Sequence, residues 1–165
     1  MTQIYISIKE QKTELSELLS KIGGDDIGGL VTFCGIVRKH NHNKDVAFLQ
    51  YESHPELAEI ILREIAVVAS IKWPLFWIIV VHRTGRLEIG ETAVSIITAS
   101  THRKESYEAS QYIINKLKQE VPIWKKETYV DGTSEWGNLC NCDKNNHQPS
   151  SSVELLNHSD APRVK

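Results

Sequence analysis

The chain has 165 residues, 19 of them basic and 21 acidic, for a formal charge of −2 with histidines neutral. Domains typically run to roughly 100–200 residues, so one domain is expected, and a chain this long buries about two-thirds of its unfolded surface without staples or metals. A composition 41% hydrophobic and 24% charged excludes wholesale disorder, and the near balance of charge argues against a general nucleic-acid or membrane-surface binder.

Three cysteines, Cys34, Cys140 and Cys142, form a sparse, odd set that fits a reduced, cytoplasmic protein better than a disulfide framework. Met1 to Tyr5 carries neither a charged n-region nor a long apolar stretch, so no signal peptide is expected. The longest apolar run, Trp73 to Val81, has nine residues and contains Pro74, far short of the about 20 that span a bilayer.

In chain order, Gln3 to Ile8 alternates with three isoleucines on one face and reads as a half-buried strand. Leu15, Leu18, Leu19 and Ile22 make a helical stripe stopped by Gly23-Gly24. A second glycine pair, Gly28-Gly29, introduces a strand from Leu30 to Val37, and after the polar loop Arg38–Asp45 another strand runs from Val46 to Glu52. Ser53-His54-Pro55-Glu56 has the spacing of a capping box, with Leu57, Ile61, Ile65 and Val68 as the expected buried face of the next helix.

Phe76 to His82 is continuously apolar, as a central strand would be, and Thr92 to Ala99 is another strand after a short turn and strand. Ser100-Thr101 is placed to cap a helix striped by Ala109, Tyr112, Ile113 and Leu117. Pro122 ends that helix, and Ile123 to Val130 returns as a strand. The order predicts an α+β fold, with a mixed or antiparallel sheet and packed helices. Residues 1–138 form the expected domain, and 139–165, rich in Asn, Ser, Asp and Lys, a flexible polar tail.

Basic residues gather at Arg38-Lys39-His40, at His82-Arg83 with Arg86, at His102-Arg103-Lys104, and at Lys116, Lys118, Lys125 and Lys126. The helix start at Ser100–Arg103 offers free N–H groups and a positive dipole end to a phosphate or carboxylate. Arg38 ends a strand, where it serves either as a bidentate phosphate clamp or as a surface ion-pair partner. Pro122 prevents Lys118 and Lys125 from stacking on one helix, yet the turn can still bring their amines together. Beside other cations and apolar Ile123 and Trp124 they are candidates for base or nucleophile, and equally for ordinary solvated lysines. His40, His42, Cys140, Cys142 and His147 do not have a regular zinc spacing, so no metal is expected.

Five segments recur in a known order: Gly29 to Arg38 (GLVTFCGIVR), Lys72-Trp73-Pro74, His82-Arg83-Thr84-Gly85, Ser100-Thr101-His102-Arg103, and Val121 to Glu127 (VPIWKKE). Together they resemble the large, catalytic subunit family of molybdopterin synthase, over about residues 1–137. The resemblance implies an α/β-hammerhead-like α+β fold, a central homodimer, and a small ubiquitin-like subunit on each protomer, giving a heterotetramer. It implies sulfurtransferase chemistry that converts cyclic pyranopterin monophosphate to molybdopterin, its two dithiolene sulfurs delivered as the small subunit's C-terminal Gly-Gly thiocarboxylate. No cofactor of its own is implied.

By that resemblance Lys118 and Lys125 are the catalytic lysines. Ile36, Val37, Arg38, His102, Arg103, Lys126 and Glu127 surround the substrate. Some relatives have lysine where Ile36 stands, which leaves that position its backbone. A sulfur-transfer enzyme with no cysteine among its basic motifs is consistent if the sulfur arrives on the partner. The alternative reading is a non-catalytic docking module for a ubiquitin-like protein.

Overall fold

The computed structural model describes residues 1–41 and 43–137. Strand β1 (Gln3–Lys9) and helix α1 (Leu15–Leu19) lead to β2 (Gly29–Ile36), the two-residue β3 (His40–Asn41) and β4 (Lys44–Ser53). Helix α2 (Pro55–Lys72) precedes β5 (Leu75–Arg83), β6 (Gly85–Glu88) and β7 (Thr92–Ser100). Helix α3 (Arg103–Glu120) is followed by β8 (Ile123–Tyr129) and β9 (Ser134–Gly137). The class is α+β as expected, but the strands divide into two sheets. One has the order β1-β5-β7-β2, parallel only between β1 and β5; the other has the order β3-β4-β8-β9, with β6 also paired to β4.

Strand β5 is apolar from Leu75 to Val81 because both of its faces are covered. Ile78 and Val80 enter the main core, whereas Ile79 and Val81 join Leu18 of α1 and Ile97 on the opposite face. Gly85, at φ +74°, then turns the chain from β5 into β6 and so from the first sheet to the second.

Three local expectations are corrected. The buried face of α2 is Ala58, Leu62, Ile65, Ala66 and Ala69, while Leu57 and Val68 are exposed. This helix carries aliphatic side chains on several faces, and three of its five buried residues are alanines. His54 rather than Ser53 caps α2, its Nδ1 accepting from the Leu57 N–H at 3.4 Å. Helix α3 is capped by His102, with no side-chain bond; the Ser100 hydroxyl instead bonds the His102 carbonyl oxygen at 2.6 Å and approaches the Ser106 hydroxyl at 2.6 Å. The short strands β3 and β9 were not anticipated. The expected tail lies outside the described residues.

Candidate active site

A cleft of about 340 Å³ opens between the two sheets and the C-terminal half of α3. Ile36 and Arg38, from the end of β2 and the residues after it, line it together with Lys118, Lys125 and Glu127. Each arrives for a local reason. Lys118 falls in the last turn of α3, where a cation meets the negative end of the helix dipole. Pro122 ends that helix, and β8 then presents Lys125, Glu127 and Tyr129 at alternating positions on one face. The two lysines are thus brought to one cavity from different elements.

Glu127 is 5% exposed and Lys125 Nζ lies 2.5 Å from its Oε1. Its Oε2 accepts from Asn41 Nδ2 at 2.6 Å and from the Tyr129 hydroxyl at 2.9 Å. Burial pushes the Glu127 carboxyl up. The hydrogen bonds from Lys125, Asn41 and Tyr129, with the Lys125 charge, outweigh that and hold it below the usual carboxylate range. Tyr129 itself is pushed up to about 12 by burial and by its bond to Glu127.

The inner wall includes Tyr51 and His82, whose rings meet edge-on at 5.1 Å. Tyr51 is pushed up to about 12 by burial and the Glu127 charge. His82 is buried with its Nδ1 donating to the Arg83 carbonyl at 2.7 Å, and burial holds its pKa down at about 4. At neutral pH it is therefore an uncharged wall, not the cation its place among the basic clusters implied. Arg83 and Arg86 are engaged elsewhere, with Glu91 at 3.0 Å and Glu88 at 2.6 Å.

The remaining expected site residues lie away from this cleft. Val37 is 2% exposed and its backbone N–H donates to the Glu91 carbonyl. Lys126 points to the other face of β8, its amine 5.6 Å from the Trp136 ring centroid. His102 and Arg103 stand with Lys104 and Tyr107 at the start of α3. The fifteen residue steps from Arg103 to Lys118 correspond to about 23 Å of helix. That end is fixed by Gly28 and Gly29, where an added Cβ would meet the Thr101 carbonyl oxygen at 2.4 Å and the Arg103 backbone nitrogen at 2.7 Å.

Asn41, Tyr51 and Tyr129 were not singled out from the sequence. The period-two spacing of Lys125, Glu127 and Tyr129 points to the last of these, whereas an asparagine inside a polar loop carries no comparable signal. Among the described residues no three His, Cys, Asp or Glu side chains converge as a metal site; His42, Cys140, Cys142 and His147 lie outside the described residues. No described helix is long and apolar enough to cross a membrane.

Residues 8–120 match the family model described as MoaE protein. The chain belongs to the MoaE family. Among its MoaE relatives, the molybdopterin synthase catalytic subunit of Halalkalibacterium halodurans is 39% identical over 132 residues, 80% of this chain and 85% of that one. A crystal structure of molybdopterin synthase from Staphylococcus aureus is similar at a TM-score of 0.75 and 34% identity, covering 79% of this chain and 95% of that one. A chain in the complex of subunits 1 and 2 of the molybdopterin-converting factor from Helicobacter pylori shares the fold, with a TM-score of 0.64 at 20% identity over 93% of this chain and 99% of that one.

Proposed function

We propose that this chain is the catalytic subunit of a molybdopterin synthase, a sulfurtransferase that converts cyclic pyranopterin monophosphate to molybdopterin. The observation that carries the reading is the convergence of Arg38, Lys118 and Lys125 on one cleft of a size that suits a small phosphorylated heterocycle. Arg38 holds the phosphate through its planar fork of donors, and the backbone of Ile36 flanks it. Lys118 and Lys125 receive the thiocarboxylate end of a small ubiquitin-like subunit and handle protons or a covalent link during sulfur transfer. Glu127 acts as counter-ion to Lys125 and so reaches the substrate through that amine. The sulfur comes from the partner, so Cys34 in β2 has no part in the chemistry. The complexed H. pylori relative supports a two-subunit assembly, and the setting is the cytoplasm.

His102 and Arg103 enter the same site from a second copy. Strand β2 is the edge of its sheet and exposes Leu30, Phe33 and Ile36, a surface prone to pairing. A two-fold, antiparallel meeting of two such strands sets the Gly29 end of one beside the Ile36 end of the other. The second protomer's His102 and Arg103 then face Arg38 across the cleft mouth. Two large and two small subunits make a heterotetramer. The domain is residues 1–138, with 139–165 as an appended tail. Reconstitution with a thiocarboxylated small subunit and cyclic pyranopterin monophosphate tests the reading: dithiolene product is expected, and its absence with a bound partner favours the docking-module alternative.

A further inference from the structure

The Glu127 carboxylate divides its two oxygens between two kinds of donor. Oε1 takes the Lys125 ammonium at 2.5 Å, and Oε2 takes two neutral donors, Asn41 Nδ2 at 2.6 Å and the Tyr129 hydroxyl at 2.9 Å. Tyr129 belongs to the same strand as Glu127. Asn41 does not: it reaches in from β3, three residues beyond Arg38, on a hairpin closed by the Val46 N–H to the Lys39 carbonyl at 2.8 Å and by pairing with Lys44. A terminal carboxylate torsion is broad and a lysine stem has several rotatable bonds, so a fixed Oε2 is what orients Oε1 and hence the amine.

We propose that Asn41 is a positioning residue of the sulfur-transfer site, linking the hairpin beside the phosphate-binding Arg38 to the aim of Lys125 through Glu127. With the hairpin seated, Asn41 locks Oε2, and Lys125 is directed into the cleft. With it displaced, Glu127 keeps only Tyr129 on that oxygen and the amine loses its fixed direction. The inference rests on the function proposed above.

The test uses the reconstituted two-subunit enzyme with Asn41→Ala, Asn41→Asp and Asn41→Gln. Misplacing a reacting group by an ångström costs up to about 10²-fold, so kcat is expected to fall by about 10- to 100-fold in Asn41→Ala and Asn41→Asp while KM for the pterin phosphate moves little. Asn41→Gln, which retains an amide donor, recovers part of the loss. In a Glu127→Gln background the Asn41→Ala change adds no further loss, because its effect passes through that carboxylate.

A readout independent of turnover is acylation by a small activated ester, followed by peptide mass spectrometry. Lys125 should label at least about threefold faster in Asn41→Ala, with the exposed Lys104 unchanged. A wild-type enzyme that makes no product overturns the sulfur-transfer reading while the labelling still reports on Lys125. Wild-type kcat in both Asn41→Ala and Asn41→Asp with wild-type labelling in Asn41→Ala, or an equal loss with and without the Glu127 carboxylate, overturns the positioning role.

Discussion

Arg38 and Arg103 stand at opposite ends of the same edge strand, Arg38 just beyond Ile36 and Arg103 packed backbone-to-backbone against Gly29. At about 3.4 Å per residue, the eight residues of β2 keep the two guanidinium groups too far apart to share one phosphate within a protomer. In the proposed two-fold pairing of β2 with a second copy, that separation is removed.

This arrangement makes a complementation experiment informative. Arg103→Ala should weaken substrate binding and Lys125→Ala should stop turnover, yet randomly mixed dimers of the two variants should regain about a quarter of wild-type activity. Half of such dimers are mixed, and each contains one site with both residues intact. Mixtures no more active than the weaker parent would show that each site is built from one protomer alone.

Gly29 gives a stability prediction. A methyl group there meets main chain rather than a movable side chain, so Gly29→Ala should cost about 1–3 kcal/mol and lower the melting temperature by roughly 3–10 °C. Gly23, which has open space around its missing Cβ, serves as the control, and Gly23→Ala should melt like the parent. Equal melting temperatures for all three proteins would contradict the close packing of the α3 start on β2.

His82 makes the fold sensitive to acid. Its folded-state pKa of about 4 lies below the ordinary value of 6.5, so between those pH values the unfolded chain binds the extra proton and the folded one resists it. Stability from this group is intact above pH 6.5 and falls as pH drops toward 4, by up to about 3 kcal/mol. Denaturant midpoints measured across that window should decline more steeply for the wild type than for His82→Phe. Parallel declines would show that His82 titrates normally in the folded state.

The sequence made β5 legible because a strand covered on both faces carries a continuous apolar run, here Leu75 to Val81. It misjudged α2 for the related reason that a helix with aliphatic residues all round does not announce which face is buried. The buried face is the one that combines Leu62 and Ile65 with alanines at 58, 66 and 69. The two lysines were identifiable as a pair because Pro122 separates a helix end from a strand start, although spacing alone left their solvation open. The separation of His102 and Arg103 from that cleft was not legible, because it depends on the length of α3 in three dimensions. Asn41 was hidden for a simpler reason: its partner Glu127 lies 86 positions away in sequence.

The most direct measurement is single-turnover sulfur transfer by the reconstituted enzyme, comparing the wild type with Lys125→Ala in the presence of thiocarboxylated small subunit and cyclic pyranopterin monophosphate. The wild type should form the dithiolene product. Lys125→Ala should form none while still dimerising and still binding the small subunit. Full product formation by Lys125→Ala would contradict the account.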